Sequence, residues 1–497
     1  MHHPTRLIAA LTAILLALAP SFASTDHDLW YIIEMAGQRS GTLHSVQRTE
    51  GDRITSISET RLKIRRDRAA IEVAVTTEFV ETLDGKPISM SATQVMGAEP
   101  TTMTYTFGPE GVTITTRQGN GEPTTVTAPL PEGAWLTPAA AATFTRKRLE
   151  AGATEITARI IDPSFGLQPI VSTRRVLERT TVEALGKVVP AIKCAATVSA
   201  VPGIESIEYL DERGVPIRTT SNLGGIPMTI IAADRELANL ELDPPELMQR
   251  TFVSPDRPIK SPRAARRASY LLRLEGGDGT LATIPTTAIQ RTEAVEPGVV
   301  RVVVDLDNPT PAPAADAEDG AYLASSSMLP TEDDLIRRLV EQATAKADGA
   351  TPAERAEAMR RFVHTYINAK SLGVGFASAA EVARTREGDC TEHATLLAAM
   401  LRVAGIPSRT ASGLIYADSF GGSRDIFGYH MWTQALLEVD GRMTWVDLDA
   451  TLGPKTPTDA THIALATAAL GDAEPTNPLI ALVPLLGRLE VSVEHAE

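Results

Sequence analysis

The chain has little cysteine (two residues among 497), few aromatic residues (4%) and no basic excess, its formal net charge being -15. Each scarcity excludes something. Two cysteines cannot build the bridge framework of a disulfide-dense secreted scaffold, or a paired Cys-x-x-Cys zinc module. They allow at most one bridge, Cys194–Cys390. A chain this acidic lacks the footprint that neutralises phosphates, so nucleic acid is not an expected partner. Long hydrophobic runs are also missing, with one exception at the start. "MHHPTRLIAALTAILLALAPSFAS" places Arg6 before an apolar run from Leu7 to Leu18, followed by the small residues Ser21 and Ala23. That run falls short of the ~20 residues a membrane span needs. It reads as a signal peptide over residues 1–23, with a membrane anchor as the weaker reading, and no cysteine follows it to carry a lipid. The expectation is an exported protein, periplasmic or extracellular, without stable membrane insertion after cleavage.

What is present divides by hydrophobic period, and the length suits several domains. From residue 24 to 253 the sequence reads as β-rich. "AAIEVAVTTEFVETLDGKPISMSATQ", "MTYTFGPEGVTITTR" and "SIEYLDERGVPIRTT" each alternate apolar and polar residues about a glycine turn, the pattern of antiparallel hairpins. A helix is expected only near Pro138 to Glu150. Residues 254–267 read as a basic, proline-rich linker, 268–307 as a small β-rich segment, and "NPTPAPAADAEDG" opens a second linker over 308–330. From 331 to 470 the period turns helical, then β, and 471–497 is left as a tail. Thr331 is the expected cap of one helix. Thr351 with Pro352 opens a second, and Ser378 a short third. The fold class is thus multidomain: N-terminal mainly-β, antiparallel domains, then an α+β domain.

The α+β part holds the candidate chemistry. In "TREGDCTEHATLLAAMLRVAGIP", Gly388 and Asp389 break one helix and Cys390 opens the next, which Gly405 ends and Pro407 keeps ended. A cysteine at a helix N-terminus meets unpaired N–H groups and the positive end of the helix dipole, which favour thiolate and can hold an oxyanion. Downstream, "YHMWTQALLEV", "DG" and "RMTWVDLDAT" form a hairpin signal. With Asp440 and Gly441 in the turn, Val439 pairs with Arg442, Trp432 stands opposite Asp449 and His430 opposite Thr451. His430, Trp432, Asp447 and Asp449 then share one face. Asp449 is the diagonal neighbour of His430, roughly 7–8 Å away between backbones, which prefers it to Asp447.

"GDCTEHATLLAAMLRVAGIPSR", "HMW" and "WVDLDAT", in that order, resemble the transglutaminase-like superfamily of papain-like cysteine enzymes over roughly residues 335 to 460. The resemblance implies a triad of Cys390 as nucleophile, His430 as base and Asp449 as its orienting acid, the aspartate falling four residues after Trp445. It implies a cysteine-dependent acyltransferase or hydrolase acting through a thioester on amides of a protein or peptide, with hydrolysis favoured over cross-linking. Asn368 is the best upstream candidate for a second oxyanion donor. Glu392, His393, Trp432 and Asp447 are candidates to line or support the cleft. No cofactor or metal is expected, since ligand pairs at the usual spacings are missing, although Cys390, His393, His430 and Asp449 together are the set from which a zinc site could be drawn. Residues 415–430 read as a glycine-rich loop beside the cleft. The rival class of function is a non-catalytic peptide-binding or envelope-scaffold protein that keeps the domain for recognition.

Overall fold

The computed structural model describes the chain except residues 1–25, 67–68, 96–98, 202, 224, 275–280, 282–283, 346–348, 375, 472–481 and 483–484. The expected signal peptide lies outside the described residues. Contacts divide the chain into two compact units, one of residues up to 65 and 70–246, the other of 66–69 and 247–497.

The N-terminal unit is one antiparallel sheet of fourteen strands, β1 to β14, between His27 and Ala233. Neighbours in the sheet are neighbours in sequence, except that β1 (His27–Met35) pairs with β14 (Ile226–Ala233) while β8 (Thr124–Ala128) and β9 (Glu155–Ile160) form its two edges. Alternation explains the pairing. In β4 (Ala69–Thr82), Ile71, Val73, Val75 and Phe79 are buried while the residues between them are more exposed. Phe79 packs with Met90, Tyr105, Val112 and Ile161. Helix α1 (Pro138–Glu150) has the expected bounds, and the carboxylate of Glu81 accepts the N–H groups of Ala139 (3.0 Å) and Ala140 (3.2 Å) at its start. Cys194 is buried beside Leu149, Ile156, Ile192 and Leu210, and burial pushes its thiol up to about 11. Neither cysteine is in a disulfide, so the disulfide alternative is not what this structure contains.

The C-terminal unit has two four-stranded sheets and a two-stranded parallel pair, β18 (Ala369–Lys370) with β19 (Glu387–Gly388). The first, in the order β16 (Gln290–Glu296), β17 (Val299–Asp305), β15 (Arg267–Leu274), β24 (Leu489–Ala496), joins the small β-rich segment to the expected tail. The tail is therefore a strand, because "LEVSVEHA" alternates and pairs with β15. The second sheet runs β22 (Arg442–Leu448), β21 (Ser423–Val439), β20 (Ser408–Phe420), β23 (Ile463–Ala468). Helices α3 (Pro352–Tyr366) and α5 (Cys390–Val403) pack on it, and α2 (Asp334–Thr344) and α4 (Ala379–Thr385) pack on α5.

Neither expected linker is free. In 308–330, Asp316 accepts the indole N–H of Trp445 (2.7 Å), Ala312 N–H donates to Met443 O (2.8 Å) and Arg402 donates to Ala324 O (2.6 Å). In 254–267, Arg263 pairs with Asp459 at 2.7 Å and Ile259 N–H donates to the Tyr416 hydroxyl. Proline content marked both as irregular, but irregular chain with its polar groups paired can pack as tightly as a helix. Residues 415–430 likewise form the end of a β20–β21 hairpin turning at Gly421 and Gly422. Asp333, rather than Thr331, caps α2, accepting the N–H groups of Leu335 and Ile336.

β20 and β23 approach closely at Gly413, where an added Cβ would lie 1.7 Å from the carbonyl oxygen of Ile463. Gly413→Ala is expected to destabilise the C-terminal unit by about 3 kcal/mol or more, as overpacking against backbone does. Urea unfolding followed by tryptophan fluorescence checks this, and a loss below about 0.5 kcal/mol, the size of a neutral surface change, would contradict it.

Candidate active site

Helix α5 begins at Cys390 because the residues before it cannot continue α4. Gly388 has φ +151°, and a Cβ there would meet the Cβ of Glu392 at 2.3 Å. Asp389 is the cap. Its carboxylate takes the N–H groups of Thr391 and Glu392, and the Glu392 carboxylate returns to Asp389 N–H (2.9 Å), closing a capping box. Glu392 also accepts from Ala377 N–H (3.1 Å) and the Thr391 hydroxyl (2.8 Å). Full burial, with the repulsion of Asp389, pushes its carboxyl up to about 8. Glu392 thus shapes the turn before Cys390 and does not line a cleft. Asp389 pairs at 2.6 Å with Arg66, both fully buried, which offsets a negative charge placed one residue from the cysteine. The N–H groups expected to serve a thiolate are in part engaged: two of them belong to Asp389.

Thr433 of β21 donates its hydroxyl to Ala394 O in α5 (3.0 Å), tying the turn after Cys390 to the strand that carries His430. Cys390 and His430 are both fully buried. The β21–β22 ladder has the expected register, from Val439↔Arg442 to Thr433↔Leu448. It stops there, so the expected pairs Trp432–Asp449 and His430–Thr451 do not form. Asp449 leaves the strand into a turn held by α3: Arg360 donates to Asp449 O (3.1 Å) and Leu452 O (3.2 Å), and His364 Nδ1 lies 3.1 Å from Ala450 O. The turn brings Asp449 Oδ2 to 2.7 Å from His430 Nε2. Asp449 Oδ1 accepts the N–H (2.8 Å) and hydroxyl (2.7 Å) of Thr451. Burial alone would raise the Asp449 carboxyl, but the charge and hydrogen bond of His430, with the bond from His462, hold it well below the usual range.

Sequence reasoning missed His462. It precedes β23, is 2% exposed, and points Nε2 at Asp449 Oδ2 (3.2 Å) and Nδ1 at Asp459 O (3.1 Å). Burial pulls its pKa down, yet the bonds to Asp449 and Asp459 outweigh that and leave it at about 9. The Asp459 carboxylate is held low by His462 and by Arg263. The run "DATH" offered a polar cluster just before a strand, but nothing in its spacing connected it to Asp449. Lys370 was missed as well. Its Nζ lies 2.5 Å from His393 Nε2, while His393 Nδ1 lies 2.5 Å from Asp389 O. Burial and the Lys370 charge push His393 down to about 3, so it is the neutral Nδ1–H tautomer that accepts from the lysine. Burial likewise lowers Lys370 itself to about 8, against the pull of Asp449.

The other expected residues separate. Trp432 is buried, stacked on His430 with centroids 5.9 Å apart and edge-on to His462 at 5.2 Å, so it walls the imidazoles. Asp447 is bonded to its cross-strand partner Gln434 (2.6 Å), and burial raises its carboxyl. Asn368 is exposed, its N–H donating to Arg386 O, and it is not part of the buried cluster. The zinc set imagined from sequence is not assembled as such. Among the described residues, the ligand atoms that do crowd within 4.8 Å belong to His430, Asp449 and His462, all of them already joined by hydrogen bonds.

Residues 337–450 match the family model of the transglutaminase-like superfamily. The C-terminal unit carries a transglutaminase-like domain. Cys390, His430 and Asp449 lie inside the matched segment, and Asp459 and His462 lie beyond it. Three solved structures are similar at low identity. A β-barrel-like protein from Brucella abortus, built on a domain of unknown function, is 11% identical, covering 43% of this chain and 97% of its own at TM-score 0.32. A candidate cysteine protease from Cytophaga hutchinsonii is 15% identical, over 46% and 87%, at TM-score 0.27. A candidate protease from Parabacteroides distasonis is 12% identical, over 78% and 68%, at TM-score 0.19. No curated protein matches the chain.

The histidine imposes a pH dependence on the transglutaminase-like domain. A pKa of about 9 in the folded state, raised from 6.5, means stability that is complete below 6.5 and lost as pH rises through 9. Thermal unfolding of the unit should show a falling midpoint over that window, and His462→Gln should flatten the fall. Identical slopes in the two proteins would contradict the assignment.

Proposed function

We propose that the chain is an exported cysteine-dependent acyl-transfer enzyme that opens amide bonds of proteins or peptides through a thioester. The observation that carries this reading is the buried His430–Asp449 pair at 2.7 Å on the strand tied to the helix that Cys390 begins. Because Nε2–H is given to Asp449, Nδ1 is the nitrogen that takes the Cys390 proton as Sγ attacks the carbonyl carbon. The protonated ring then passes that proton to the departing amine, and Asp449 steadies the imidazolium between the two steps. In deacylation, His430 takes a proton from water, the C–O bond forms, the C–S bond breaks, and the proton returns to the sulfur. Water needs no second binding site, which makes hydrolysis the reading that asks least of the protein; a lysine amine in its place would form an isopeptide link. Export rests on the apolar segment at residues 7–18. No helix among the described residues is long and apolar enough to cross a membrane.

Thiol chemistry tests the reading without knowledge of the substrate. Iodoacetamide should label Cys390 rapidly near neutral pH, and His430→Ala should slow labelling by about tenfold or more, the scale of a lost general base. Cell-envelope extract incubated with wild-type protein, and not with Cys390→Ala, should show new peptide ends by mass spectrometry. Isopeptide links instead of ends would assign cross-linking. Slow labelling indifferent to His430→Ala, with an unchanged extract, would leave a peptide-recognition domain.

A further inference from the structure

Asp449 is bonded by more than the His430 pair needs. A carboxylate that only orients one imidazole needs one strong bond to it, but Asp449 accepts four. Oδ1 takes the N–H and hydroxyl of Thr451, and Oδ2 takes His430 at 2.7 Å and His462 at 3.2 Å. The second imidazole is itself held from behind. Its Nδ1 faces the carbonyl oxygen of Asp459 at 3.1 Å, with the Asp459 carboxylate at 3.6 Å, and that carboxylate is paired with Arg263 at 2.7 Å and takes the N–H and hydroxyl of Thr461 at 2.9 and 2.6 Å. A neutral imidazole has one N–H. Here both ring nitrogens face oxygen acceptors, and the ring is almost without solvent to supply a donor in their place.

We propose, building on the acyl-transfer reading, that His462 is a fourth member of the site, an imidazolium that donates through both nitrogens and positions Asp449 for His430. The groups that face it are consistent with a cation. They are Asp449 and Asp459 on its two nitrogens, the edge of Trp432 at 5.2 Å, and His430 with ring centroids 5.8 Å apart; Arg263 stands behind Asp459, and the Lys370 charge also acts on Asp449. Two consequences follow for the reaction. The Asp449 side chain cannot turn away from His430 without breaking bonds to Thr451 and His462. Its negative charge is also shared, so it stabilises protonated His430 less than an unshared carboxylate would, which favours the neutral ring that must be present before the thiol proton can be taken. His462 acts through its bond to Asp449.

Histidine-labelled nitrogen NMR reads the charge directly, since a doubly protonated imidazole has two similar nitrogen shifts and a neutral one has two distinct shifts. Wild-type protein should show one histidine that remains doubly protonated at pH 8, absent in His462→Gln and shifted to a lower titration midpoint in Asp459→Asn. In His462→Gln the inflection of the iodoacetamide pH profile that His430 sets should move up by about one unit, because a neighbouring positive charge has gone. A purely structural loss would lower labelling without moving that inflection. A neutral His462 at pH 7, or a superimposable profile in His462→Gln, overturns the proposal, as does a stoichiometric divalent metal that His462→Gln releases. If His430→Ala leaves labelling unchanged, the acyl-transfer reading fails, and with it the role given to His462. If His430→Ala slows labelling while His462 proves neutral, only the fourth member is lost.

Discussion

A carboxylate with almost no solvent around it persists as an anion only where donors replace the water it gave up. The C-terminal unit is arranged around that constraint at Asp449. Its four acceptor positions are met by Thr451, by His430 of β21 and by His462 just before β23, and the turn that carries it is pinned by Arg360 and His364 from α3. Remove the donors, and the carboxylate would protonate or the turn would open. Either change frees His430 from the bond that fixes its Nε2 on Asp449. The separation of charges across the site follows from the same arrangement, with the anion at the centre and the cations distributed around it.

A second electrostatic solution operates at the start of α5. Asp389 and Glu392 are both buried, and two carboxylates so close repel. Two devices relieve the repulsion. Arg66 meets Asp389 at 2.6 Å, and Glu392 has its carboxyl raised until it is largely protonated near neutral pH. The result is a rigid capping box one residue from Cys390, where Gly388 allows Glu392 to pack against the chain. Neutral His393, held by Lys370 and Asp389 O, completes the same turn. Helix-start electropositivity is thereby partly spent on the cap, so the support of a thiolate falls more heavily on the histidine than an idealised helix N-terminus implies.

Much of this was legible in local pattern. The β21–β22 register came from a two-residue Asp-Gly turn, because alternation has a period of two and a wrong register would turn every side chain over. The bounds of α1 and the start of α5 came from proline, glycine and capping residues acting within a few positions. What local pattern missed has a common form. Residues 254–267 and 308–330 read as linkers because proline and glycine report backbone preference and say nothing of partners. Their side chains and backbone are in fact tied down by Asp459, Tyr416, Trp445, Met443 and Arg402. Asn368 suited an upstream donor by type and position, yet it lies exposed.

The sequence by itself determined the alternation of the N-terminal sheet, the helix that Cys390 opens, and the hairpin that sets His430 near the end of β22, since each depends on side-chain period and on turn or cap chemistry over a short span. Only the tertiary structure decided that Asp449 would leave its ladder to reach His430, that His462 would close on the same carboxylate, and that Arg263, from an apparent linker, would stand behind Asp459. Those pairings join residues from 13 to 196 positions apart. Their buried partners set their protonation against the pull of burial, and both burial and partners are properties of the packed chain that no short stretch of it carries.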